Sequence, residues 1–334
     1  MRPSLAFPAL AAALALGLSA CGGSASDSGA SPSGSGGSAS GTPLRVVAGF
    51  YPLAYAAEQV GGDAVEVINL TPPGGEAHDL ELSPQQVAEI GEADLILYIP
   101  GFQPALDEAI EQAAPDRALN VTEALALLPA EDHAHEEEAG HTDEGDHGHD
   151  EEAGHADEHG QGSLDGDPHV WLNPLNMATI GDEIASRLTA LDSAGPFAAG
   201  AQALTASMNT LNDEWAQGTA DCRSRDLVVS HEAFGYLAQQ YDFAQIGIAG
   251  LTPDAEPSPA RLAEVADLVR ERGITTIYYE TLVDPAVAET LAAETGATTA
   301  ILDPLEGLLE GSTETYVTVM QANLEQVRTG QGCS

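Results

Sequence analysis

The chain has 334 residues, with 53 acidic against 10 basic side chains and a formal net charge of −43, and it is 43% hydrophobic but only 5% aromatic. The apolar content suffices for a sizeable core built from Ala, Leu, Val and Ile, and the length suggests two lobes or one domain with appendages. All ten basic residues are Arg, too few to clamp phosphates, which excludes nucleic acid as a partner and argues against electrostatic docking on anionic lipid; an acidic surface suits cations.

Residues 1–20 read as a signal peptide: one charge at Arg2, then an apolar stretch from Leu5 to Leu18 too short to span a bilayer. It ends Leu18-Ser19-Ala20-Cys21, and small residues directly before Cys21 resemble a bacterial lipobox, so Cys21 is expected to carry lipid. Residues 21–43 are almost wholly Gly, Ser, Ala and Pro, a flexible tether that cannot bury enough apolar area to fold. Membrane association is thus expected through the lipid anchor only, on the outer face of the plasma membrane, or in the periplasm of a double-membraned cell.

From Leu44 the pattern alternates. Leu44–Phe50, Ala64–Leu70, Asp94–Ile99 and Ala118–Val121 read as strands. Pro52–Val60, Ser83 to Glu92 and Ala105–Ala114 read as helices, Ser83-Pro84 being an N-cap followed by proline. Asn173-Pro174 opens a helix to about Leu191, and Pro196 opens one to Gly218 with no strand between them. The alternation resumes with strands at Asp226–Ser230, Phe243–Ile248, Ile274–Glu280 and Thr298–Leu302. Between and after these strands, helices are expected at Glu232–Gln240, Ser258 to Arg272, from Asp284-Pro285, and at Glu314–Arg328. The fold class is therefore α/β: an N-terminal lobe over 44–195, a linker helix over 196–218 and a C-terminal lobe over 219–334, each lobe with a parallel-type sheet.

One segment breaks the pattern. Residues 131–162 interrupt the N-terminal lobe with His133, His135, His141, His147, His149, His155 and His159 among thirteen Asp and Glu. Such a composition cannot form a core, and its imidazoles and carboxylates suit weak, secondary binding of divalent metal.

The other three histidines are His78, His169 and His231. Each lies in or near a loop leaving the carboxyl end of an expected strand, or just before a helix, where parallel sheets bind ligands. Asp303 follows the strand ending at Leu302. Three imidazoles and a carboxylate form a near-ideal tetrahedral zinc set, so His78, His169, His231 and Asp303 are the expected ligands of one tight Zn²⁺ site. With Cys21 assigned to lipid, Cys222 and Cys333 remain as an even pair in an oxidising compartment and are expected to form a disulfide.

Four stretches carry a family resemblance: Glu76-Ala77-His78-Asp79 with Ser83-Pro84; Asp167-Pro168-His169-Val170-Trp171-Leu172-Asn173-Pro174; Ser230-His231-Glu232-Ala233-Phe234-Gly235-Tyr236-Leu237; and Leu302-Asp303-Pro304-Leu305. Over residues 44–332 the chain resembles the cluster A-I solute-binding lipoproteins of bacterial ABC importers, which bind zinc or manganese. The His-rich acidic insert and the histidine at 231 resemble the zinc members. The resemblance implies two (β/α) lobes joined by a long rigid helix, metal in the cleft between them, an ABC-transporter permease as partner and no enzyme activity. Zinc members often carry Glu directly before the first ligand; Ala77 stands there, so Glu76 or water are alternatives to Asp303. A monomer is expected. The competing readings are a manganese- or iron-type binding protein, a surface zinc buffer or adhesin, and a zinc-dependent hydrolase, for which no motif supplies a general base.

Overall fold

A computed structural model describes residues 42–129 and 166–334. The expected signal peptide, Cys21, nearly all of the tether and the insert with its seven histidines lie outside the described residues. The described residues all belong to one compact unit.

The first half runs β1 (Leu44–Ala48), α1 (Tyr51–Gly61), β2 (Val65–Asn69), α2 (Pro84–Glu92), β3 (Leu95–Tyr98), α3 (Pro104–Ala113) and β4 (Ala118–Asn120). Two long helices follow, α4 (Pro174–Leu191) and α5 (Phe197–Gly218). The second half runs β5 (Asp226–Val229), α6 (Gly235–Tyr241), β6 (Ala244–Gly247), α7 (Pro259–Arg272), β7 (Thr276–Tyr279), α8 (Ala286–Thr295), β8 (Thr298–Ile301) and α9 (Tyr316–Gln331). Two parallel four-stranded sheets result, ordered β2-β1-β3-β4 and β6-β5-β7-β8. In each sheet the chain reverses its direction of travel beside the first strand, which opens a crevice at the carboxyl ends.

The helix starts obey local chemistry. Ser83, Asn173 and Ser258 accept hydrogen bonds from backbone N–H groups of the first turn, and a proline occupies the opening turn of each helix. Thr315 caps α9 in the same way. The largest shift of a helix start is at the helix expected from Glu232, which begins at Gly235. Residues 231–234 instead form a loop, and the Glu232 N–H bonds to the Gly250 carbonyl at 2.8 Å.

The core is continuous across both lobes. One cluster of buried side chains includes Val46 and Phe50 from the first half, Met208 and Trp215 from α5, and Leu227, Phe234 and Tyr316 from the second half. Phe50 and Trp171 meet with ring centroids 4.7 Å apart. A smaller cluster backs each sheet on its other face. The disulfide Cys222–Cys333 ties the end of α9 to the segment after α5 across 111 residues of sequence. Among the described residues no helix is long and apolar enough to cross a membrane.

Candidate metal centre

Three loops at the carboxyl ends of strands and the segment that leads into α4 converge on one point. His78 follows β2, His231 follows β5, Glu306 follows β8, and His169 precedes the single turn Val170–Leu172 that leads into α4. One ligand atom from each of these four residues lies within 4.8 Å of every other. Oε1 of Glu306 lies 3.3 Å from Nε2 of His78, 3.4 Å from Nε2 of His169 and 3.3 Å from Nε2 of His231. The Nε2 atoms of His169 and His231 are 3.4 Å apart. A tetrahedral zinc centre with bonds of about 2.0–2.1 Å has edges roughly 1.6 times longer, about 3.3–3.4 Å. Those four edges therefore already have the length that a tetrahedral zinc ion requires.

The structure brings His78, His169 and His231 together, and the carboxylate beside them is that of Glu306 rather than Asp303. Asp303 is not in the cluster: its Oδ2 accepts from Thr281 at 2.6 Å and its Oδ1 from the Leu305 N–H at 2.7 Å. The Asp303 side chain shapes the loop, and Leu305, with φ 60, turns the chain so that Glu306 points inward. Asn323 of α9 holds Asp303 from behind, donating to its carbonyl and accepting from its N–H. The Trp171 indole N–H bonds to the Pro304 carbonyl at 2.7 Å, fixing the same loop from the other lobe. Glu76 is not a member of the cluster either; its carboxylate accepts the His78 N–H at 3.0 Å. The signal that could have found Glu306 is its place three residues past Asp303, within the same strand-end loop.

Each fully buried imidazole is oriented by a second carboxylate. Asp167 Oδ1 lies 2.7 Å from Nδ1 of His169, and Glu280 Oε1 lies 2.6 Å from Nδ1 of His231. Such partners fix the tautomer and turn Nε2 toward the metal position. His78 is placed differently. The buried Gln103 amide donates to the Ala77 carbonyl at 2.9 Å, and Phe102 packs its ring 4.4 Å from the His78 ring.

The charges balance around Glu306. Its burial favours the neutral acid, but hydrogen bonds from three imidazoles outweigh that and hold its carboxyl well below the usual range. Burial opposes charge on His231, yet Glu280 and Glu306 together push it up to about 10. His169 is raised as well: burial opposes this, and Asp167 and Glu306 prevail. His78 is lowered, burial outweighing Glu306. Burial, reinforced by the charge on Glu306, pushes Glu76 up to about 8. The preformed cage holds a carboxylate among protonatable rings, and a dication replaces those protons.

The chain matches the family described as "Zinc-uptake complex component A periplasmic", ZnuA, over residues 46–330. The zinc-binding lipoprotein AdcA of Streptococcus pneumoniae is 34% identical over 294 residues, which are 85% of this chain and 55% of AdcA. The chain thus spans about half the length of that relative. The high-affinity zinc uptake system protein ZnuA of Bacillus subtilis is 31% identical over 297 residues, covering 86% of this chain and 88% of that protein. The Zn(II)-bound ZnuA-like domain of S. pneumoniae AdcA superposes with TM-score 0.67 at 30% identity, covering 87% of this chain and 99% of the domain. With two parallel-sheet lobes, three convergent histidines and this match over nearly the whole described chain, the protein belongs to the ZnuA family of zinc-uptake components.

Proposed function

We propose that the chain is an extracytoplasmic solute-binding protein that captures one Zn²⁺ at His78, His169, His231 and Glu306 and delivers it to an ABC-transporter permease. The carrying observation is the three-nitrogen, one-oxygen cage, four of whose edges, at 3.3–3.4 Å, match a tetrahedral zinc ion. Imidazole-rich sets suit zinc, whereas manganese prefers more oxygen ligands. Four protein ligands leave no open coordination position, which argues against a zinc hydrolase, since catalytic zinc keeps a place for water. The names of AdcA and of the Bacillus ZnuA support the same reading. Lipid on Cys21 would hold the chain at the membrane surface as a monomer, and the insert histidines would add weak zinc sites.

Competition with a chromophoric chelator tests the cargo. One zinc ion should bind tightly, and His231→Ala should weaken that binding by orders of magnitude. Wild-type affinity in that variant would overturn the site. Delivery is tested by growth of a strain lacking the chain when zinc is scarce; failure of the restored chain to support growth would overturn the transport reading.

A further inference from the structure

A second concavity lies behind the metal cage. It is a small cavity of about 60 Å³ that opens to solvent, formed at the carboxyl ends of the second sheet. Ile248, Pro253, Val283 and Val287 supply apolar wall, and Ser230 and Glu280 also line it. Val287 is 40% exposed and Glu280 only 3%, so the pocket runs from solvent to a buried carboxylate. Asp284 adds a second acid, and no lining residue is basic. Glu280 is the same residue that orients His231. Ser230 and His231 both bond to its Oε1, while Oε2 accepts no hydrogen bond among the described residues.

An apolar shaft ending in a buried carboxylate with a free oxygen suits one ligand class: a guanidinium or ammonium on an aliphatic stem. The stem covers the walls and the head meets Oε2. The chain offers no cation of its own there, and a net charge of −43 favours a basic partner. We infer that this pocket receives an Arg or Lys side chain of the membrane partner, and that seating it at Glu280 weakens the hold on zinc. The inference rests on the delivery reading above.

The coupling follows from electrostatics. A cation on Oε2 draws charge away from Oε1, the oxygen that positions His231, and it also repels the dication beyond that ring. Loss of a carboxylate partner behind a metal-bound histidine typically costs about 10–100-fold in metal affinity. Coupling is reciprocal, so bound zinc must weaken the cation by the same factor.

The test uses n-butylguanidinium and n-butylammonium as probes and n-butanol as the neutral control. Both cations should bind the metal-free chain saturably, and about 10–100-fold more weakly once zinc is loaded. At saturation they should speed zinc loss to a chelator, and n-butanol should not. Val287→Trp should fill the mouth, abolish probe binding and leave zinc affinity unchanged. In cells, that variant should stay zinc-loaded yet fail to support growth on scarce zinc. No saturable binding of either cation, or equal binding to metal-free and zinc-loaded chain, overturns the inference. Wild-type growth with Val287→Trp also overturns it. If the wild-type chain itself does not restore growth, the delivery reading fails, and the probe measurements still decide whether the pocket exists as a cation site.

Discussion

Glu306 closes the ring of imidazoles, and its role separates cleanly from that of Asp303. Glu306→Ala removes a ligand and should weaken zinc binding by orders of magnitude. Asp303→Asn keeps an oxygen for the Leu305 N–H, so the loop should hold and affinity should change by less than about tenfold. Chelator competition on both variants compares them, and equal losses would restore Asp303 as a ligand. The pH response follows from the same groups. His231 sits near 10 against an ordinary 6.5, so its charged state stabilises the metal-free protein below about pH 6.5, and that contribution fades as pH rises toward 10. Glu306 is depressed, so its contribution is present above its ordinary 4.5 and is lost as pH falls through its lowered value. The melting temperature of metal-free protein should therefore fall from pH 6.5 to 9. The rise in melting temperature on adding zinc should grow over the same interval, since zinc no longer competes with protons. Zinc binding at pH 7 should release protons, measurable by calorimetry in buffers of different ionisation enthalpy.

At the scale of elements, the strand-end loops and helix caps were legible because their signals are local. Ser83-Pro84, Asn173-Pro174 and Ser258-Pro259 mark helix starts without reference to anything distant. His78, His169 and His231 stood out because so few histidines lie outside the insert. The choice of Glu306 over Asp303 within their loop was not legible, because it depends on the left-handed backbone of Leu305, and a leucine gives no hint of that conformation. The orienting roles of Asp167 and Glu280 were equally hidden, being set by which loops face each other. Tyr236 is another such contact. From α6 its hydroxyl donates to the Asp167 carbonyl at 2.8 Å and accepts the Leu128 N–H at 3.0 Å, while Asp167 orients His169. Tyr236→Phe leaves two backbone groups short of a partner and should cost about 1–3 kcal/mol of stability. It should also lower zinc affinity by about tenfold by loosening Asp167, a change the cobalt-substituted spectrum would register as altered symmetry. An unchanged affinity and spectrum would reduce Tyr236 to a purely structural contact. The disulfide is independent of the site. Replacing Cys222 and Cys333 by Ser should lower unfolding free energy by roughly 4–5 kcal/mol in the chain-entropy view. Zinc affinity should stay unchanged, and denaturant melts with zinc titrations check both.

For the whole molecule, the decisive feature is the shared core. Buried side chains from both lobes and α5 form one shared cluster, with a smaller cluster behind each sheet. Metal-free protein should unfold in a single transition, with calorimetric and van't Hoff enthalpies equal; two resolved transitions would contradict this. The same continuity works against wide parting of the lobes.

The stem at Leu128 and Asp167 carries one more consequence. The Asp167 N–H bonds to the Leu128 carbonyl at 2.8 Å, and Tyr236 bridges the same two residues. The chain therefore departs and returns at a single point on the scaffold. For a loop closed between two such anchors, each doubling of length adds only about 0.6 kcal/mol of closure entropy. The number of residues between these two anchors can therefore change over evolution at little energetic cost, leaving the cage beneath them as it is.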